Sequence, residues 1–157
     1  MPNPRQTLKQ RLLACSCHLV GAFAAKFFPA NAFITYSLAR ALKNQDGFVR
    51  LHAEQAADFN MSFTVYVVGG LLGYFLLALG AADIARALNL GLSTTEIEAL
   101  TKNIALGVLR VASIAYLILV AIASFKALLG RDHRYPLSLG WYQRMEKALE
   151  GRDAHIP

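Results

Sequence analysis

The chain has 157 residues, 55% of them hydrophobic and 17% charged, with a mean hydropathy of +0.38. An ordinary soluble domain is roughly 45–50% apolar and about 25% charged, and here the apolar residues gather in runs too long for a globule of this size to cover. Composition therefore excludes a soluble active-site domain and points to the bilayer.

Sixteen Lys and Arg against ten Asp and Glu give a net charge of +6. The cations flank the apolar runs and form no tract interleaved with aromatics, so they predict contact with lipid and control of topology, and no nucleic acid. Cys15 and Cys17 sit close together inside an apolar stretch, which is no disulfide framework, and are expected to be free thiols.

At the amino terminus, Arg5, Lys9 and Arg11 precede an apolar run over 12–25, with Ala22-Phe23-Ala24 imitating a signal cleavage site. Leu12-Leu13-Ala14-Cys15 imitates a lipobox but has no hydrophobic region ahead of it. The segment is expected to stay on the chain as a membrane helix.

Four stretches are predicted to be membrane helices: 12–28, 29–42, 59–82 and 103–129. The third has no charged residue, and at about 1.5 Å per residue it exceeds a hydrocarbon core of about 30 Å. The fourth is interrupted by Arg110, tolerable where the side chain snorkels to the interface or meets a lipid phosphate. The front third is either one tilted helix or a hairpin broken at Phe28-Pro29, because proline cannot continue a helix. One front helix divides the loop cations five against nine. A hairpin places twelve on one side and leaves Arg86 and Lys102 on the other, and the positive-inside rule favours this partition, with both termini cytoplasmic. The two front helices are then short, about 26 Å and 21 Å, and need a thinned bilayer, snorkelling by Lys26, or a re-entrant arrangement.

Outside the spans, residues 83–102 predict an outward helical hairpin, with Gly91 as a C-cap and Ser93-Thr94-Thr95-Glu96 as a capping box. Asp46 predicts the cap of a helix leading into the third span, with Arg50, Glu54 and Asp58 at four-residue intervals. Residues 139–150 predict an amphipathic tail helix, with Trp141 and Tyr142 as anchors at the headgroups.

Few constellations carry chemistry. Cys15-Ser16-Cys17-His18 has one residue too few between its cysteines for covalent haem, and positions i and i+2 of a helix point apart, so it reads as packing. Gly69, Gly70 and Gly73 clear one helix face for close approach of another helix, within the chain or from a partner. Arg50, His52, Glu54 and Asp58 reach the cytoplasmic interface at the same level as Arg134, Tyr135 and Pro136. They predict a clamp in which Arg134 pairs with Glu54 or Asp58. A proton relay or metal site is the functional alternative at these residues.

The run from Phe48 to Ala56, Phe-Val-Arg-Leu-His-Ala-Glu-Gln-Ala, followed after the last span by Tyr135-Pro136-Leu137, resembles a widespread family of small bacterial membrane proteins of unknown function. That family is distantly related to the channel-like Tic translocon subunit of the chloroplast inner envelope. The resemblance covers about residues 12–137 and implies a compact helical membrane domain with both ends on the cytoplasmic side; it brings no catalytic residue. The chain departs from that pattern at Ala57-Asp58-Phe59-Asn60, where the family continues with a large apolar residue and Phe-Gln.

The sequence thus predicts an all-α, polytopic membrane protein of the inner membrane, with a helical membrane domain over 1–137 and a cytoplasmic amphipathic tail over 138–157. It predicts no enzyme activity, cofactor, metal or small-molecule substrate. Its expected role is that of an accessory or scaffolding subunit in contact with lipid and with other membrane subunits or further copies of itself; the alternative is a translocon-like pore component.

Overall fold

A computed structural model describes residues 6–88, 91 and 93–153. It contains five α-helices, α1 (Leu8–Ala24), α2 (Ala30–Ala41), α3 (Gly47–Ala87), α4 (Thr94–Leu128) and α5 (Trp141–Asp153), with a single 3-10 turn at Ala25–Phe27 and no strand among the described residues. Positions 89, 90 and 92 of the expected outward hairpin lie outside the described residues, as do the ends of the chain at 1–5 and 154–157.

Local chemistry explains the helix ends. Thr7 opens α1 with a capping box: Thr7 Oγ1 accepts from Gln10 N at 3.3 Å, and Thr7 N donates to Gln10 Oε1 at 2.7 Å. The break at Phe28-Pro29 is present, with Pro29 immediately before α2. Asp46 Oδ1 accepts the Phe48 N–H at 2.9 Å where α3 begins. The predicted capping box of α4 forms, Glu96 N donating to Ser93 Oγ at 3.4 Å and Ser93 N to Glu96 Oε2 at 2.8 Å. Beyond α4 the chain turns at Gly130, φ +68°, and a Cβ there would also lie 2.7 Å from Gln6 Oε1. The positive φ demands glycine.

The chain divides into two compact units, one drawn from Met1–Thr64 and Leu117–Pro157, the other Val65–Tyr116. The first has a core of small residues. Cys17, Ala39, Ala53, Ala56 and Ala57 are buried in one cluster and Ala14, Cys15, Phe48 and Ala127 in another, so that helices approach closely with little side chain between them. Cys15 and Cys17 are free and buried, as packing residues.

The second unit is a helical pair whose long apolar side chains point outward: Leu72, Phe75, Leu76, Leu79, Val108 and Val111 are each at least 60% exposed. In water such a surface is untenable. The spans Gly47–Ala81 and Thr94–Leu128 have mean hydropathies of 1.9 and 2.3 over windows that are 0% and 11% buried, so they are not the core helices of a soluble fold. Among the described residues, these two helices are long and apolar enough to cross a bilayer. The front segments form helices of 17 and 12 residues, and each turns a polar residue inward, His18 from α1 and Asn31 and Thr35 from α2.

Candidate functional site

Polar side chains in the first unit converge in its interior. His18, Asn31, Thr35, His52, Asp58, Asn60 and Ser62 are all buried, and a buried polar group must find a partner. His18 is the centre. Its Nε2 lies 2.8 Å from His52 Nδ1 and its Nδ1 lies 3.0 Å from Tyr135 Oη, which ties α1, α3 and the segment after α4 together. Rings enclose the three: Phe48 lies edge-on to His52 at 4.5 Å, and Phe59 stacks on Tyr135 at 3.9 Å and 4°. A second set joins α2 to α3, Thr64 Oγ1 donating to Asn31 Oδ1 at 3.2 Å and Asn31 Nδ2 to Asn60 Oδ1 at 3.4 Å. Gly21 makes room for it, since a Cβ there would stand 2.5 Å from Asn60 Nδ2.

Hydrogen bonds permit two proton arrangements along the row Tyr135, His18, His52. Either the tyrosine donates to His18 Nδ1 and His18 Nε2–H to His52, or every bond runs the other way. Among the described residues no group of three or more His, Cys, Asp or Glu side chains is placed to hold a metal ion.

α3 meets the chain after α4 through Asp58 and Ser62. Asp58 Oδ1 accepts the backbone N–H of Tyr142, and Ser62 Oγ accepts that of Leu139 at 2.9 Å. Arg134 is exposed, and the ion pairs among the described residues are Arg50–Glu54 at 3.6 Å and Arg86–Asp83 at 3.3 Å. The Arg134 pairing is therefore corrected: a buried carboxylate is better satisfied by a fixed backbone donor than by a flexible cation at the surface. Asp58→Ala is expected to lower stability by about 2 kcal/mol and Arg134→Glu by less than about 0.5 kcal/mol, as denaturant titration of the full chain would read.

Tyr135 is buried and Pro136 exposed. Tyr142 is not a headgroup anchor; it is 3% exposed, and burial, with Glu146 and Glu54 nearby, pushes its hydroxyl up to about 12. Trp141 is exposed, with the Arg144 guanidinium 5.9 Å from its ring. Lys26 lies exposed with its ammonium 5.5 Å from the Phe23 ring, and Arg110 is exposed on α4. Gly69, Gly70 and Gly73 face open space: nothing lies within 4 Å of a Cβ built at any of them. Within the chain, close approach is found at Gly21 instead.

His133 is buried beside Lys126, whose Nζ is 3.3 Å from its Nδ1. Burial and that ammonium hold its pKa below the ordinary 6.5. Below that value the unfolded chain takes up a proton that the folded chain resists, so this group's contribution to stability falls as pH drops through 6.5. His133→Gln is expected to flatten the loss of stability measured from about pH 7 to about pH 5.

Sequence comparison identifies the family: the chain belongs to the magnetosome magnetite crystal formation protein family, whose sequence model matches residues 9–142. No curated protein and no solved structure matches it. The match covers most of the chain and every element of the buried row, and it corrects the resemblance drawn from Phe48–Ala56 and Tyr135-Pro136-Leu137. Nothing links the chain to the Tic translocon, and the pore reading loses the support it drew from that relation. Those two short runs supply Phe48, His52 and Tyr135, which meet in the core.

Proposed function

We propose that this chain serves magnetite crystal formation as an accessory, non-catalytic membrane subunit. Family membership supplies the process. One observation carries the role within it: His18, at the centre of the first unit, spends both ring nitrogens on His52 and Tyr135, while the second unit turns its large apolar side chains outward. The chain thus offers apolar surfaces for contact. The excess of cations on the side of the termini over Arg86 and Lys102 opposite supports a multi-pass arrangement in the inner membrane, with both ends in the cytoplasm. Its partners are lipid and other membrane subunits, or further copies of itself.

Deletion in a magnetite-forming cell, followed by electron microscopy of the crystals, tests the reading. Crystals of altered size or number are expected, with recovery when the full chain is returned and equal recovery with Glu54→Gln. Unchanged crystals would overturn the assigned process. Loss of rescue by Glu54→Gln at normal protein level would overturn the non-catalytic role.

A further inference from the structure

The second unit contains a cleft that the proposed function does not use. Between α3 and α4 runs a groove of about 400 Å³, with Gly70 and Gly73 on one wall and Ala105 and Ala112 on the other. It is open because those glycines have no side chain and nothing else fills the space. Its polar members are Tyr74, Thr101 and Lys102, which also line the adjoining cavity of about 390 Å³ toward the start of α4. Polar groups therefore sit at one level, with an apolar channel extending from it.

Dimensions and charge select the occupant. From Lys102 to Ala112 the helix rises about 15 Å, the depth of one leaflet of a hydrocarbon core about 30 Å thick. Lys102 is exposed, and no carboxylate lies within ion-pairing distance of it among the described residues. Glu98, one turn back, lines the adjoining cavity and not the groove. A cation at the mouth of an apolar slot one leaflet deep complements a phosphate joined to an acyl chain.

We propose that this groove is a binding site for an anionic phospholipid, one acyl chain lying along Gly70 and Gly73 and the phosphate meeting Lys102. The assignment rests on the membrane placement of α3 and α4. Thr101 strengthens the mouth: its hydroxyl donates to Ile97 O at 2.7 Å, which leaves the oxygen lone pairs and Lys102 to order water and headgroup.

Native mass spectrometry of the full chain, delipidated in mild detergent and offered phosphatidylglycerol or phosphatidylcholine of the same acyl composition, tests it. Retention of phosphatidylglycerol about 5-fold above phosphatidylcholine is expected. Lys102→Gln should abolish that preference while both lipids still bind, and Gly70→Leu should abolish retention of both by filling the slot. Equal retention of the two lipids by the unaltered chain would overturn the site, as would undiminished retention by Gly70→Leu. Disulfide-linked pairs of Gly70→Cys chains would also overturn it, because a second copy would then cover the groove. A chain that remains monodisperse in water without detergent would defeat the membrane placement itself, which is a different failure.

Discussion

His18→Ala is expected to destabilise the fold by about 4 kcal/mol, among the largest losses available to a single substitution in this chain. The ring is 1% exposed and uses both nitrogens, on His52 Nδ1 and Tyr135 Oη. Its removal takes the His18 partner from each, at about 1–3 kcal/mol per stranded buried group, and leaves a void that packed helices close only in part. Tyr135→Phe separates these terms. It keeps the ring stacked on Phe59 and removes only the hydroxyl, so about 1–2 kcal/mol is expected. Unfolding of the full chain in detergent, with the double variant completing a cycle, reads the coupling. A loss below about 1 kcal/mol for His18→Ala would show that the buried row does not hold the first unit together.

Gly21 carries the second large effect, and its sign is diagnostic. In an open helix, glycine to alanine gains about 1 kcal/mol, and Gly107, with open space around it, should show that gain. Gly21→Ala is expected instead to lose about 2 kcal/mol. The new Cβ would stand 2.5 Å from Asn60 Nδ2, and Asn60 is pinned by its bonds to Ala56 O at 2.8 Å and to Asn31. The opposed pair, measured by thermal unfolding, distinguishes close packing of α1 on α3 from mere helix propensity. Stabilisation by both substitutions would contradict the packing.

Features written into neighbouring residues were legible in the sequence. The caps at Asp46 and at Ser93 with Glu96, the break at Phe28-Pro29 and the uncharged run over 59–82 each depend on a few adjacent positions, and each is present. What was missed depends on distant ones. Asp58 meets a backbone N–H 84 residues away. Backbone donors leave no mark on a charge pattern, so matching charges led to Arg134 instead. His18 had a readable signal: a histidine inside an apolar helix needs a buried partner, and His52 was the candidate already in hand. Treating His18 as the end of a Cys-Ser-Cys-His motif hid it. Tyr142 shows the limit of amphipathic patterning, which marks an apolar face without saying whether lipid or protein covers it. The resemblance failed for a related reason: Phe48, His52 and Tyr135 pack a core, and short runs with that duty do not identify a process.

Within the second unit, α3 and α4 lie in lipid, and the assigned role and lipid site both require it. Phe75, 60% exposed on α3, can be replaced by tryptophan in a Trp141→Phe background and the full chain reconstituted in vesicles. Brominated acyl chains are expected to quench the Phe75→Trp fluorescence, and aqueous acrylamide to leave it nearly unchanged. Strong quenching by acrylamide with none from the brominated lipid would place that surface in water and contradict the account.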